Sequence, residues 1–162
     1  MRLLIVRHAE AMPAVSVVSD RERALTAEGE RRLRAAARGL AHLVPAPDVL
    51  LASPLLRARQ TAALLAAAWG EIVVTPENAL ASGSVEVILD ALSLHAHAAT
   101  VALVGHEPTV SGLLAELIGG SSSDPVSFSP GAAAFVDVVS LARRDGRLLW
   151  FLPPDVAATS AP

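Results

Sequence analysis

Leu3-Leu4-Ile5-Val6-Arg7-His8-Ala9-Glu10 is the stretch on which the fold turns. Its first four residues are apolar and branched without a break, which suits a short strand covered on both faces of a sheet. At Arg7 the run stops, and a cation and an imidazole follow at once. In an open parallel sheet, the carboxyl end of a central strand borders the crevice left by the crossover connections, where ligands sit. A single histidine after a strand is commonly structural. An Arg-His pair at this place gains meaning from whatever else converges on the same edge.

Composition narrows the choices. A chain of 162 residues fits one domain and leaves room for a real core. The apolar fraction of 52% is rich in alanine, which favours helices more than membrane spans. No window reaches the roughly 18 consecutive apolar residues that a transmembrane helix needs. The apolar start runs straight into Arg7-His8-Ala9-Glu10, unlike a signal peptide, so a cytoplasmic protein is expected. The absence of Cys excludes disulfides, thiolate metal sites and cysteine nucleophiles. All 13 cationic side chains are Arg, so a P-loop lysine and Schiff-base chemistry are excluded too. A net charge of -3, with three Phe, two Trp and no Tyr, argues against a nucleic-acid surface.

Beyond the first strand, Ala11 to Ala24 lacks periodicity and carries the cluster Asp20-Arg21-Glu22-Arg23, a loop long enough to be functional. Thr26 can cap a helix running to about Leu43, with Leu33, Ala36, Ala37, Leu40 and Ala41 as its apolar stripe. Most arginines from Arg23 to Arg38 fall off that stripe and read as a solvated face; Arg23 precedes the helix and sits in the loop. Pro45 and Pro47 stop the helix, and Val49-Leu50-Leu51 makes a second strand. Ser53-Pro54 then predicts a helix start, with Ser as N-cap, running to about Trp69 and ending at Gly70. This places Arg57 close to a helix N-terminus, where a cation opposes the dipole unless an anion lies nearby.

Ile72-Val73-Val74 predicts a third strand, Pro76 to Ser84 a loop, and Val85 to His97 a helix. His95 and His97 are two apart and face different ways on a helix, so favourable charge at its end explains them better than a metal. Val101-Ala102-Leu103-Val104 predicts a fourth buried strand, ending in Gly105-His106-Glu107-Pro108 before a helix that runs to Ile118. His106-Glu107 is not the zinc-protease pattern, since Val110 stands where the second His belongs. Gly119 to Pro130 reads as a polar loop. Gly131 to Val139 and Arg147 to Leu152 read as two strands joined by a turn at Arg144-Asp145-Gly146.

Strands alternating with helices predict an α/β three-layer sandwich with a mostly parallel central sheet and an antiparallel C-terminal edge. A single domain is expected over residues 1–152, with a flexible tail over 153–162. In such a fold Arg7, His8, Arg57 and His106 can share one rim beside helix N-termini that favour anions. Two guanidiniums and two imidazoles around one point describe a phosphate pocket.

These residues also carry a resemblance. Arg7-His8-Ala9-Glu10 resembles the Arg-His-Gly-Glu signature of the histidine phosphatase superfamily, the phosphoglycerate-mutase-like group. Ser53-Pro54-Leu55-Leu56-Arg57-Ala58-Arg59-Gln60-Thr61-Ala62 resembles its second block, and Gly105-His106-Glu107-Pro108 its third. The small size resembles the SixA type, the phosphohistidine phosphatases, as does Asp20 to Thr26 with Arg23 and Leu25-Thr26 in place. Two departures stand out: Ala9 replaces the usual Gly, and Ala24 stands where the subgroup often has Pro. Larger relatives carry a carboxylate acid in the loop after the third strand; here Ala79 to Ser84 holds none, leaving Glu86 or His106 as candidate proton donors.

The resemblance implies a metal-independent phosphatase without cofactor, working through a phosphohistidine intermediate on His8. Arg7, Arg57 and His106 would be catalytic and, with Arg23, would hold the substrate. Arginine forks suit phosphate oxygens. At an effective dielectric near 20, a charge pair at 4 Å is worth on the order of 4 kcal/mol. The expected substrate is phosphohistidine in a protein, because an imidazole leaving group with a pKa of about 6.5 needs little protonation help. A small-molecule phosphomonoesterase on the same scaffold, or a non-catalytic phosphate-binding protein, are the alternatives. A phosphorylated protein or a small phosphate ester is thus the expected partner, with no nucleic acid and no membrane; a monomer is compatible with all of this.

Overall fold

The structure is a computed structural model describing residues 1–16, 19–81, 83–120 and 126–161. Parts of three expected loops, at 17–18, 82 and 121–125, and Pro162 of the expected tail lie outside the described residues. In chain order the elements are β1 (Arg2–Arg7), α1 (Ala27–Leu43), β2 (Val49–Ala52), α2 (Leu56–Ala68), β3 (Val74–Pro76) and α3 (Val85–Ser93). Then follow β4 (Thr100–Gly105), α4 (Thr109–Leu117), β5 (Ala133–Ser140), β6 (Asp145–Leu152) and α5 (Pro154–Ala158). Short 3-10 turns at Ala14–Ser16, Asp20–Glu22 and Asn78–Ala81 shape the connecting loops.

The strands form one sheet in the order β3-β2-β4-β1-β5-β6. Pairings from β3 through β1 are parallel, while β5 and β6 add antiparallel. This is the three-layer α/β architecture that strand–helix alternation predicts. Strand β1 lies inside, with Ile5 opposite Leu103 on one side and Ala134 on the other. Its alternate residues feed two cores: Leu3 and Ile5 pack with Ile88, Leu92, Leu113 and Leu117 of α3 and α4. Leu4 and Val6 pack with Ala36, Leu40, Ala62 and Leu65 of α1 and α2. An apolar run without alternation is therefore what this strand requires.

Helix α1 starts as its sequence predicts: the Thr26 hydroxyl accepts the Gly29 N–H at 2.9 Å, and Leu33, Ala36, Ala37 and Leu40 are buried. Its arginines face solvent in ion pairs, Arg31 with Glu28 and Arg34 with Glu30. Helix α2 begins later than Ser53-Pro54 suggests, at Leu56 with Leu55 as an N-cap that makes no side-chain bond. Ser53 instead prolongs the sheet, its N–H donating to the Val104 carbonyl at 3.0 Å.

Strand β3 is displaced to Val74–Pro76 from the predicted Ile72–Val74. Gly70 and Glu71 both take positive φ, +89° and +64°, and the chain spends two more residues turning back to the sheet. Pro76 is tolerated because β3 is an edge strand. Helix α3 stops at Ser93, short of His97; successive turns from Leu92 to Ala98 deliver the chain to β4, so His95 and His97 lie beyond the helix.

The largest correction concerns the flexible tail expected from Pro153. Pro154–Ala158 form α5, with Pro154 and Ala157 buried against α1. Gly39 makes the contact: a Cβ there would sit 1.7 Å from the Ala157 carbonyl oxygen. Arg32 of α1 then holds Asp155 at 2.7 Å. Among the described residues, no helix is long and apolar enough to cross a membrane.

Candidate active site

Strands β2, β4 and β1 are neighbours and parallel, so their carboxyl ends meet on one edge. They deliver Ser53, His106 and Arg7-His8, and the first turn of α2 adds Arg57. With Arg23 from the loop after β1, the side chains of Arg7, His8, Arg57 and His106 border a cavity of about 270 Å³ that Glu10, Ala11, Glu107 and Pro130 also line, while Ser53 lies buried behind it. The structure thus brings together Arg7, His8, Arg23, Arg57 and His106, the residues that the sequence places at one site.

His8 is 8% exposed. Its backbone N–H is fixed on the Gly105 carbonyl at 3.0 Å, and its Nδ1 lies 2.7 Å from the Ala9 carbonyl oxygen. A carbonyl only accepts, so Nδ1 carries the proton and Nε2 keeps a lone pair. Arg57 donates its Nε–H toward that lone pair at 3.3 Å. Burial pushes the His8 pKa down to about 4; the Ala9 carbonyl opposes this, and the charges of Arg57, Arg7 and Arg23 add to it. The imidazole is neutral at pH 7. Ala9 is buried with φ outside the positive range, and the Thr61 hydroxyl accepts its N–H at 3.1 Å, so Ala serves where the signature has Gly.

The guanidiniums are individually braced. Arg57, 5% exposed, donates to the Asp20 carbonyl at 2.8 Å and to its carboxylate at 3.1 Å. Arg23 holds the other Asp20 carboxylate oxygen at 2.8 Å and the Met12 carbonyl at 3.2 Å. Asp20 is therefore the anion that a cation near the start of α2 calls for. Desolvation opposes its ionisation, but Arg57 and Arg23 together outweigh that and hold its carboxyl below the usual range. Arg7 donates to the Phe128 carbonyl at 2.5 Å, and its Nε is buried with no partner among the described residues.

His106 stands across from His8, ring centroids 5.0 Å apart. Its Nε2 lies 2.7 Å from the Ser53 Oγ, and its Nδ1 is buried without a partner among the described residues. Burial, then His8 and Arg57, push its pKa down to about 3. Glu107 lines the cavity with one oxygen engaged: its Oε1 accepts the Phe128 N–H and the Ser111 hydroxyl, both at 2.6 Å. Glu10 accepts the Thr26 hydroxyl at 3.3 Å.

Glu86, a candidate proton donor on sequence grounds, does not reach the cavity. It is paired with Arg144, which also binds Glu116, at the exposed end of α3. Three participants escape sequence reading: Asp20 as the link between two arginines, Glu107 as the anchor of Phe128, and Ser53, whose hydroxyl resembles a helix cap. A hydroxyl directly after a buried strand, on the ligand edge, is the signal for the last. Among the described residues, no group of three or more His, Asp or Glu is arranged to hold a metal ion. The whole is a neutral imidazole lone pair facing a small cavity ringed by three guanidiniums, a setting for transfer of an anionic group.

Residues 3–86 match the family described as histidine phosphatase superfamily (branch 1). A protein of Picosynechococcus sp. is 40% identical over 111 residues, 67% of each chain. The protein histidine phosphatase SixA complexed with tungstate superposes with a TM-score of 0.82 at 28% identity, covering 95% of this chain and 97% of that one. The alpha-ribazole phosphatase from Shigella flexneri shares the fold, with a TM-score of 0.75 at 19% identity over 96% and 98% of the two chains.

Proposed function

The chain belongs to the histidine phosphatase superfamily, and on that premise we propose that it is a metal-independent phosphatase acting on phosphohistidine in a protein. His8 Nε2 attacks phosphorus in line, and the P–N bond to the substrate imidazole breaks. The phosphoryl group rests on His8 until water displaces it as inorganic phosphate. Arg7, Arg57 and Arg23 hold the phosphoryl oxygens, and His106 contacts them from the opposite wall. The tetrahedral oxyanion in the SixA structure is the kind of ligand this arrangement suits.

The observation that carries the reading is the lone pair of His8 Nε2, held in place by Ala9 and flanked by Arg57. Proton supply supports this substrate class. Each carboxylate beside the cavity has at least one oxygen engaged: Glu107 by Phe128 and Ser111, Glu10 by Thr26, Asp20 by two arginines. An alkoxide leaving group needs a ready acid, whereas a substrate imidazole has its own titratable nitrogen.

The test compares hydrolysis of phosphoimidazole, and of a phosphohistidine protein, with that of a simple alkyl phosphate, using His8→Ala as control. A strong preference for the P–N bond, lost in the variant, is the expected result. Equal or faster turnover of the alkyl ester would replace this reading with a small-molecule phosphomonoesterase. Silence on all three substrates would leave a phosphate-binding protein.

A further inference from the structure

Ser53 directly follows β2 and has no exposed surface. Its hydroxyl oxygen accepts the Leu55 N–H at 3.4 Å and lies 2.7 Å from His106 Nε2. A hydroxyl has one proton to donate, and a buried one has no water to receive it. Among the described residues, the acceptor in reach is His106 Nε2. The donation therefore runs from serine to histidine, which requires Nε2 to be the bare nitrogen. A neutral imidazole with a bare Nε2 carries its proton on Nδ1. That Nδ1 is buried and has no partner among the described residues, on a ring that lines the cavity beside His8 and Arg57.

We propose that Ser53 is a positioning residue that fixes His106 as the neutral Nδ1–H tautomer, so that this imidazole meets the phosphoryl group as an uncharged hydrogen-bond donor. The inference rests on the reading of this cavity as a phosphoryl site. It gives the two histidines the same tautomer by opposite means. A carbonyl accepts from Nδ1 of His8, while a hydroxyl donates to Nε2 of His106. One ring thereby presents a lone pair to the cavity and the other a proton. A cationic His106 would add a fourth positive group beside Arg7, Arg23 and Arg57. Burial, then His8 and Arg57, push its pKa down to about 3, in keeping with a neutral ring. An unpaired buried N–H is also costly until a ligand oxygen meets it, which gives this wall a reason to accept an oxyanion.

Long-range proton–nitrogen correlation on nitrogen-15-labelled full-length protein at neutral pH reads the tautomer directly. The wild type should show His106 protonated at Nδ1 and bare at Nε2. Ser53→Ala should shift the ring toward the Nε2–H form and weaken inhibition by orthovanadate about tenfold, the scale of one hydrogen bond. An Nε2–H tautomer in the wild type overturns the proposal, and this measurement needs no variant to fold. So does an unchanged tautomer in Ser53→Ala, which would reduce Ser53 to a turn residue. Orthovanadate should also move the Nδ1 signal of the wild type. No such movement, in protein that still hydrolyses phosphoimidazole, overturns the donor role. Loss of both vanadate binding and turnover in the wild type would instead strike the phosphatase reading on which the proposal stands.

Discussion

Glu107 reaches Arg7 through the backbone of Phe128: its carboxylate accepts the Phe128 N–H at 2.6 Å, and the Phe128 carbonyl accepts from Arg7 at 2.5 Å. The Phe128 ring is fully buried and meets Phe151 edge-on, centroids 4.8 Å apart. One residue is thus held at its amide, its ring and its carbonyl, and the guanidinium that depends on it is aimed accordingly.

Glu107→Ala should leave the Phe128 N–H without its partner, a loss of about 1–3 kcal/mol. Thermal denaturation should register it as a lower Tm, and turnover should fall with it as Arg7 loses its fixed carbonyl. Glu107→Gln keeps an acceptor oxygen and should retain most of both. Equal losses in the two variants would mean that the charge, and not the bond to Phe128, matters.

The histidines set the pH response. His8 stays neutral down to about pH 4, so kcat/KM, corrected for the substrate's own ionisation, should hold through pH 5 and fall near 4. A midpoint near 6.5 would contradict the geometry of the site. Stability follows with a definite sign. Unfolded His8 takes its proton near 6.5 and folded His8 near 4, so between these values the unfolded state binds more protons and stability rises with pH. Acidification through that window should cost on the order of 3 kcal/mol from His8 alone. Chemical denaturation of wild type and His8→Asn at pH 7 and pH 4.5 measures it: the variant should lose less.

Gly39→Ala should displace α5, because the added methyl would coincide with the Ala157 carbonyl. Overpacking of this kind costs about 1–3 kcal/mol, a drop in Tm of roughly 2–4 °C for each kcal/mol. In a chain shortened to residue 152 the same substitution should be neutral or slightly stabilising, since Ala is the better helix former. An equal penalty in both backgrounds would rule out the Gly39–Ala157 contact as its cause.

Arg23→Ala should weaken phosphate and vanadate inhibition several-fold, since Arg23 lines the cavity but is partly exposed and shares its charge with Asp20. Unchanged inhibition would remove Arg23 from the site.

Glu86→Gln should leave turnover of every phosphate substrate intact, because its carboxylate is bound to Arg144 away from the cavity. A collapse in alkyl phosphate hydrolysis would identify it as the missing acid.

Much of the fold and of the candidate site is legible in the sequence because the chemistry sits at strand ends. Apolar runs broken by Arg7-His8 and by Gly105-His106 mark their own position on a parallel sheet, and Thr26 marks the start of α1. The features that sequence reading misses depend on partners distant in the chain. Ser53-Pro54 is a good local helix signal, yet the hydroxyl is claimed by His106 from another strand, and the tertiary bond wins over the cap. Glu107 and Phe128 meet across a loop whose sequence says nothing about its path. The α5 segment carries a legible start in Pro154-Asp155, but only the bare surface of Gly39 makes so short a helix worth forming.

The position of β1 has a consequence for how the protein is made. Leu3–Val6 must pair with Val101–Val104 on one side and Ala133–Val136 on the other. On the ribosome, those four apolar residues emerge long before either neighbour, and long-range pairings are the slow ones to close. His8 lacks the Gly105 carbonyl and Arg7 the Phe128 carbonyl until the second half of the chain has appeared. A nascent fragment ending before β4 therefore carries His8 and Arg57 but neither the Gly105 carbonyl nor His106 of the opposite wall. Competence should arrive late in synthesis, only after the segment from Gly105 to Pro130 has emerged to close the wall opposite His8.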